Sequence, residues 1–445
     1  MIERLFRPVD IAPLVFFRIV GATLIAIECA GHALTQFRQP YVEASFHLSW
    51  PLTPWLVPGP PAAVYAHMTA NVVAALLVAI GCYYRAAALC LAIGVGTLLG
   101  MEQTAYINHT YLYALYAGIL ACVPANAAVS LDARRRPQLA RATAPAWCLY
   151  LLRFQMAVVY GFAGLAKLDA DWLRAMPLSV WLQLDAGYPL IGPLLAAPTT
   201  AYVMSYGGLV FDLLIVPAMS SARTRRYAFA IAIAFHLTNV VTFGIGTFPW
   251  FSLAATALFF PPETFRKLPF LSSRLPALVA TASDPSLPGT GRRLFLVAAL
   301  TAYACLQVAI PSRRFFIDGN PGWTEVGHTF AWRMMLRNKV GRLTLRLHEP
   351  ATGRTWSEAP ARYLVGRQVR TVSTDPEMIV QLARHVARHY AEQGRTVEVR
   401  VDAFASLNGR TPRRLVRADV DLAREEPRLE TFDIVLPFED RGKSP

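Results

Sequence analysis

Polar and ionisable residues interrupt the most apolar stretches of this 445-residue sequence. Within or beside those stretches lie Arg18, Glu28, Asn108, His109, Arg153, Lys167, Asp169, Asp171, Asp212, His236 and Asn239. A charged group at membrane depth is costly unless it is paired or hydrated, so these residues are candidates for a functional site. A structural polar network that ties helices together is the other interpretation. We favour that structural interpretation for Arg18 and Arg153, as partners of Glu28 and Asp212.

Lys167 is the candidate that points most directly to proton chemistry. The chain has 43 basic residues, of which only Lys167, Lys267, Lys339 and Lys443 are lysines. Arginine keeps its proton in proteins, whereas a desolvated lysine can act as a base near neutral pH. A lysine at membrane depth in an arginine-rich chain therefore indicates proton transfer. Its position alone is explained equally well by a lysine that extends from a helix end to the membrane interface.

Composition indicates which elements position these residues. Hydrophobic residues make up 54% of the chain and charged residues 16%, which is too apolar for a soluble protein of this size. Charged residues number 32 in residues 1–310 and 40 in residues 311–445. The predicted fold class is therefore a polytopic α-helical membrane domain, residues 1–311, followed by a small α+β domain, residues 312–445. An ordinary cytosolic enzyme is excluded.

Nine stretches are apolar enough to cross a hydrocarbon core of ~30 Å, although the eighth is short. They lie at about 12–34, 62–83, 86–101, 109–129, 146–166, 201–220, 227–246, 248–260 and 293–311. Lys and Arg concentrate in the loops on the N-terminal side, and only Arg38, Lys167 and Arg174 fall on the other side. The positive-inside rule then predicts a multi-pass membrane protein whose N terminus is cytoplasmic and whose C-terminal domain is extracytoplasmic.

The C-terminal part has the patterns of an α+β domain. Residues 341–349 and 395–407 alternate between apolar and polar side chains, as half-exposed strands do. Asp375 followed by Pro376 is typical of a helix start, and the helix would run to about Gln393.

Several other kinds of site have little support. The net charge of +14 is explained by arginines that flank membrane spans, so we predict no nucleic-acid partner. The six cysteines form no CxxC pair, and His385 and His389 have no third ligand nearby. We therefore predict no metal site.

Six segments of the sequence resemble the vitamin K-dependent γ-glutamyl carboxylase family and its bacterial relatives with a horizontally transferred transmembrane domain. They occur in the same order and at nearly the same spacing over most of the chain. They are INHTYLYAL (107–115), VVYGFAGLAKLDADWL (158–173), YGGLVFDLLI (206–215), FHLTNVVTFGIGTFPW (235–250), GWTEVGHTFAWRMML (322–336) and FASLNGRTPRRLVRADVDL (404–422).

The resemblance implies a membrane enzyme that oxidises vitamin K hydroquinone, such as menaquinol or another naphthoquinol, with O2 to the 2,3-epoxide. The family couples this oxidation to CO2 addition at glutamate side chains. A glutamate γ-C–H is too weakly acidic for any side chain to deprotonate, so a lysine amine takes the more acidic quinol proton and the oxidation generates a strong base. Lys167 aligns with that lysine, which must be neutral and needs a desolvated pocket.

The resemblance also implies the remaining site residues. Asn108 and His109 match a pair that orients or bonds the quinol oxygens, and His109 is the second catalytic candidate. The other matched quinol-binding positions are Tyr160, His236, Asn239, Phe248, Met334 and Met335. Apart from the resemblance, the predicted topology places Asn108, His109, Lys167, His236 and Asn239 in the outer half, so we expect them to converge on one cavity near the outer leaflet. The partners that the resemblance implies are a glutamate-containing peptide or protein, membrane lipid and the quinone pool, and the location that it implies is a bacterial-type inner membrane.

Departures from the animal enzymes leave two alternatives open. The animal enzymes have two adjacent lysines where this chain has Ala166 and Lys167, and an acidic residue where it has Arg333. The chain also stops several hundred residues short of them. One alternative is a quinol epoxidase with a different carboxylation substrate or none. The other is a non-enzymatic quinone- or lipid-binding membrane protein.

Overall fold

Nine helices build the N-terminal two-thirds of the computed structural model, which describes residues 2–35, 38–184, 186–187, 189, 192–278, 289–427 and 433–438. They are α1 (Ala12–Leu34), α2 (Pro61–Ile80), α3 (Tyr84–Met101), α4 (Asn108–Cys122), α5 (Ala146–Ala166), α6 (Pro198–Ser220), α7 (Arg225–Phe243), α8 (Phe248–Ala257) and α9 (Thr290–Ser312). Shorter helices in the connections span Ile2–Phe6, Gln39–Val42, Leu131–Arg135, Ala170–Leu173, Leu178–Leu184, Gly192–Ala196, Pro262–Arg266, Pro269–Ser272 and Pro321–Thr324.

Seven of the nine helices, all except α4 and α8, are long and apolar enough to cross a membrane, counted over the described residues. The chain is therefore a multi-pass membrane protein, as predicted. The stretches predicted as spans at 109–129 and 248–260 form helices of only 15 and 10 residues. At 1.5 Å per residue neither reaches across ~30 Å of hydrocarbon. Both short helices begin at residues predicted to belong to the site, Asn108 and Phe248.

The membrane helices pack around one apolar core. Helix α1 lies against α2 and α8, α3 against α4, and α5 against α6, while α7 contacts both α6 and α8. Helix α9 is at the periphery and packs on α5. Two short antiparallel strands, β1 (Pro8–Asp10) and β2 (Thr143–Pro145), join the segments that precede α1 and α5.

Two arginines, the buried Arg18 and the half-buried Arg153, do not have the acidic partners that we predicted for them. The Arg18 guanidinium donates to backbone carbonyls of the loop 125–129, which follows α4. The Arg153 guanidinium donates twice to the carbonyl of Leu258, at 2.9 and 2.6 Å, just beyond α8. The last carbonyls of a helix lack partners within the helix, so the carbonyl of Leu258 can take the place of a carboxylate as the acceptor for Arg153. The predicted pairing was wrong.

The C-terminal domain is a four-stranded antiparallel sheet in the order β4-β3-β5-β6, with helices packed on it. Its elements are β3 (Lys339–Glu349), β4 (Arg354–Glu358), α10 (Gly366–Val372), α11 (Pro376–Ala391), β5 (Glu398–Leu407) and β6 (Arg413–Arg414). The two predicted strands are confirmed as β3 and β5, which pair from Lys339 opposite Leu407 to His348 opposite Glu398. The predicted helix start is also confirmed, because the Asp375 carboxylate accepts from two backbone N–H groups of the first turn of α11.

The two domains share their packing. Phe46 and Leu48, from the connection between α1 and α2, pack into the core of the C-terminal domain. In the other direction, Trp332 and Leu336 precede the sheet and pack into apolar clusters of the membrane domain. The division at 311/312 stays a prediction, since the sheet itself begins only at Lys339.

Candidate functional site

Lys167 lies at the C-terminal end of α5, where its backbone N–H closes the last turn. Its side chain is buried, and Nζ donates to Oδ2 of Asp212 at 2.6 Å. Nζ also lies 5.0 Å from the ring centroid of Trp172, a distance at which an indole face attracts a lysine in its protonated form. Lys167 is thus desolvated but paired, and Asp212 is not the partner of Arg153.

Small residues allow this pair to form. A Cβ atom added at Gly164 of α5 would lie 2.6 Å from the Leu213 side chain, so α5 and α6 approach closely there. A Cβ at Gly208 would lie 3.9 Å from Cε of Lys167. Glycines at a helix contact bring two backbones together. The close approach places the lysine at the end of α5 within reach of Asp212, halfway along α6.

Tyr160 and His236 form a second buried polar group. The Tyr160 hydroxyl lies 2.9 Å from His236 Nε2 and 3.2 Å from Thr256 Oγ1. Among the described residues, His236 Nδ1 has no hydrogen-bond partner although it is buried. A buried polar atom without a partner is costly, so this atom marks a place where a ligand hydroxyl or a water would complete the bonding. Asn239 follows one helical turn later and is half-buried.

His109 belongs to a third group, in the first turn of α4. Its Nε2 lies 3.1 Å from Oε1 of Glu28, which α1 carries into the membrane domain. The other carboxylate oxygen of Glu28 accepts from Thr247, at 2.7 Å from Oγ1 and 3.2 Å from the backbone nitrogen. Tyr113 extends the group through a 2.7 Å contact with Thr247 Oγ1. From the sequence, Glu28 was identified only as a polar residue within a span and was predicted to pair with Arg18.

Two phenylalanines connect the three polar groups. The Phe248 ring centroid lies 6.0 Å from that of His109 and 6.5 Å from that of His236. The Phe211 ring lies 5.7 Å from Tyr160 and 5.8 Å from His236, and Phe211 immediately precedes the partner of Lys167. Ring contacts therefore join His109, Phe248, His236 and Tyr160 in one contiguous set of side chains, and Lys167 is tied to it through Asp212, the residue after Phe211 on α6.

Asn108 is adjacent to this set but its side-chain oxygen is already engaged. Oδ1 accepts from the Tyr106 hydroxyl at 3.0 Å, and that hydroxyl accepts in turn from the backbone N–H of Phe330 at 2.8 Å. The amide nitrogen of Asn108 is thus the part of the side chain with which it could donate to a ligand.

A segment of the C-terminal part, residues 330–336, packs against the start of α4 and the end of α5. We call it the strap. Phe330, Trp332 and Met335 have positive φ values of 57°, 55° and 59°, a conformation that is unfavourable for residues other than glycine. Met334 packs on the membrane core, while Leu336 packs in the cluster that contains Ala166 and Trp172. Unfavourable backbone conformations concentrate at functional sites, where the surrounding structure imposes them.

A contact that the sequence analysis did not predict joins the turn after Lys167 to the C-terminal domain. Asp171 accepts from Arg410 through both oxygens, at 2.8 and 2.5 Å, and from Asn408 Nδ2 at 2.7 Å. Burial raises the pKa of the Asp171 carboxyl, but the hydrogen bonds from Arg410 and Asn408 outweigh burial and the pKa is lowered. We call this contact the latch. Two signals were present in the sequence: Asp171 is a polar residue beside an apolar stretch, and both segments belong to family-like motifs.

The residues present fit a flat quinol better than a metal ion. The described residues include no group of three or more His, Cys, Asp or Glu side chains that could hold a metal. Of the two histidines on α11, the ring of His385 stacks on Phe46 with centroids 4.0 Å apart. Aromatic rings and methionines suit a naphthoquinol ring. His236 Nδ1 and Asn108 Nδ2 offer polar atoms for its oxygens.

Comparison with known families assigns both parts of the chain. The sequence model of the HTTM domain matches residues 6–263. The model of the lumenal domain of vitamin K-dependent gamma-carboxylase matches residues 292–441. No solved structure matches the chain.

Proposed function

The chain belongs to the HTTM domain family and carries a vitamin K-dependent gamma-carboxylase lumenal domain, and from this premise we propose the reaction that this carboxylase-like membrane protein performs. It oxidises vitamin K hydroquinone or a related naphthoquinol with O2 and adds CO2 to glutamate side chains. One atom of O2 enters the epoxide product and the other leaves as water. At the glutamate, the γ-hydrogen leaves as a proton and a carboxylate replaces it.

The observation that supports this proposal most directly is the buried Lys167–Asp212 pair at the contact of α5 and α6. Lys167 Nζ accepts the first quinol proton. The carboxylate of Asp212, 2.6 Å away, then stabilises the ammonium where it forms, because a buried cation requires a counter-charge. The Trp172 ring adds a smaller favourable contribution on the same atom.

The other predicted residues bind and orient in this proposal. His109 and Asn108 bond one quinol oxygen, and His236, held by Tyr160, bonds through its unpartnered Nδ1. The ring-contacting positions are Phe248, Met334 and Met335, with Asn239 at the edge of the site. Since the strap packs against the helix ends, it also limits the access of water, which strengthens each polar contact inside.

We further propose the membrane orientation and the partners. The N terminus faces the cytoplasm of a bacterial-type inner membrane and the C-terminal domain lies outside. The quinol enters from the lipid and quinone pool, and a glutamate-containing peptide or protein approaches from the outer face.

The deciding experiment follows both products. Purified protein is incubated with a naphthohydroquinone, O2, ¹³C-bicarbonate and a glutamate peptide. The expected result is epoxide together with a peptide whose mass increases by one labelled carboxylate. Epoxide without labelled peptide would identify a quinol epoxidase. The absence of both, with retained quinol binding, would identify a binding protein.

A further inference from the structure

Glu28 is buried in the C-terminal half of α1, a helix whose other buried residues, apart from Arg18, are apolar. A carboxylate at that depth needs several donors, and the structure provides them from three elements. His109 on α4 lies 3.1 Å from Oε1, and His32 on α1 lies 3.5 Å from the same oxygen. Oε2 accepts from the hydroxyl and the backbone N–H of Thr247, just before α8.

The backbone before α8 is shaped around this carboxylate. Gly246 has a φ of +61°, and a Cβ atom there would lie 3.1 Å from Oε2 of Glu28. A glycine allows both the left-handed conformation and the close approach. Among the residues that the structure describes, further titratable groups near Glu28 are Cys29, its neighbour on α1, and Tyr113 on α4, which bonds the Thr247 hydroxyl.

This arrangement determines where His109 carries its proton. A carboxylate only accepts hydrogen bonds, so Nε2 of His109 must donate to Glu28. In the neutral imidazole the other nitrogen, Nδ1, then holds a lone pair. The ring itself lies 6.0 Å from that of Phe248 at an interplanar angle of 30°, at the contact that links His109 to the rest of the site.

We propose that Glu28 is a positioning residue that holds His109 in the Nε2–H tautomer, so that Nδ1 is presented as a hydrogen-bond acceptor for a hydroxyl of the bound quinol. The inference rests on the proposed function, and it adds a residue to which neither the family-like motifs nor the sequence analysis gave a catalytic role. A partner that fixes the tautomer of a histidine commonly affects activity strongly while touching no substrate.

The substitution Glu28→Gln separates this role from a purely structural one. The backbone N–H of Thr247 is a fixed donor, so the amide oxygen of the glutamine must stay on it. The amide NH2 group then faces His109, and Nε2 has to accept. The proton moves to Nδ1, and His109 becomes a donor towards the site. The substitution keeps the size of the side chain and reverses one hydrogen bond.

The first measurement does not depend on enzymatic activity. ¹⁵N-histidine spectra of the wild-type protein, with the His109 signals assigned through His109→Gln, report the tautomer directly. We expect Nε2–H in the wild type and Nδ1–H in Glu28→Gln. An Nδ1–H or doubly protonated His109 in the wild type at neutral pH would overturn the proposal.

The second measurement is kinetic. Glu28→Gln should lower kcat for quinol oxidation roughly 10- to 100-fold, and it should have no further effect in a His109→Ala background, because Glu28 acts through His109. Glu43→Gln, which makes the same change at an exposed acid paired with Arg38 outside the nine long helices, is the matched control and should stay within about threefold of the wild type, a difference below 1 kcal/mol.

The two hypotheses fail in different ways. Wild-type protein without quinol-dependent O2 uptake would contradict the proposed function, whatever the tautomer. Active wild type with an equally active Glu28→Gln, or an equal loss in the His109→Ala background, would contradict only the role of Glu28.

Discussion

Nζ of Lys167 and Oδ2 of Asp212 lie 2.6 Å apart at the contact between α5 and α6, both side chains buried. The residues are 45 positions apart in the chain. The pair gives the proposed base a counter-charge inside the membrane domain. It also separates two properties that a lysine could contribute there, its positive charge and its ability to release and accept a proton.

Substitutions of Lys167 test which property matters. Lys167→Arg keeps a cation for Asp212 but cannot supply a neutral amine, since a guanidinium keeps its proton. We expect both Lys167→Arg and Lys167→Ala to lose hydroquinone epoxidation by roughly 10²- to 10⁴-fold, the usual contribution of a positioned base. Epoxide formation is measured by chromatography, with quinol binding as the control for folding. Near-normal activity of Lys167→Arg would make Lys167 a charge anchor.

Asp212→Asn tests the counter-charge. The variant leaves a buried ammonium without a carboxylate, which costs about 3–5 kcal/mol when a buried pair is broken. We expect a lower melting temperature in detergent and at least a tenfold lower epoxidation rate. The double variant Lys167→Met with Asp212→Leu should recover most of the thermal stability while remaining inactive, because an apolar pair needs no compensation.

Asp169→Asn is the matched control for that experiment. Asp169 lies two residues after Lys167 and caps the short helix Ala170–Leu173, and asparagine caps a helix as well as aspartate does. The variant should therefore keep its activity and stability. If Asp169→Asn and Asp212→Asn lose activity equally, a general loss of negative charge near Lys167 explains the result and the specific pair does not.

The latch predicts how the domains are held together. Arg410→Ala removes the two contacts to Asp171 across the domains, and we expect a loss of about 2 kcal/mol in the free energy of unfolding. Hydrogen exchange of residues 408–412 should increase. Arg417→Ala breaks an exposed pair with Asp419 and should change stability by less than about 1 kcal/mol. Equal effects of the two substitutions would show that the latch is no stronger than a surface pair.

Glu377 predicts a pH dependence in the C-terminal domain. Burial, followed by the nearby Asp375, raises the pKa of the Glu377 carboxyl to about 8 from 4.5. The folded state therefore binds this proton more tightly than the unfolded chain does. Its contribution to stability is fully present below pH 4.5 and is lost as the pH rises towards 8.

Glu377→Gln should remove that dependence. We expect the variant to melt at a higher temperature than the wild type at pH 8, and the difference to vanish near pH 4. Glu392 is exposed and directly follows the last residue of α11. Glu392→Gln is the control and should change the melting temperature little. A difference between Glu377→Gln and wild type that is constant with pH would contradict the assignment.

Topology is tested by reporters fused after Pro445. Seven spans and nine spans both carry the chain to the opposite side, so the shortness of α4 and α8 leaves the predicted sides of the two termini unchanged. An alkaline phosphatase should be active at this position, and a fluorescent protein that matures only in the cytoplasm should stay dark. The reverse pattern would place the C-terminal domain in the cytoplasm.

The sequence alone determined the local elements of this protein. Long apolar stretches predicted the spanning helices, and alternation with period two predicted β3 and β5. Asp375 with Pro376 predicted the start of α11. These features depend on neighbouring residues and on the solvent that each face meets, so they are visible in a linear pattern. The rarity of lysine singled out Lys167 by the same kind of reasoning.

Only the tertiary structure decided which polar groups meet. Glu28 and His109 are 81 residues apart, and Asp171 and Arg410 are 239 residues apart. A buried charge must find a partner, but that requirement does not say which one, because a helix-end carbonyl, a carboxylate or a hydroxyl can satisfy it. Arg18 and Arg153 donate to backbone carbonyls. The carboxylates predicted for them pair with other residues, Glu28 with His109 and Asp212 with Lys167. The partner of each charge depends on how closely the helices approach one another. Small residues such as Gly164 and Gly246 allow elements that are distant in sequence to come close, and this packing exists only in the tertiary structure.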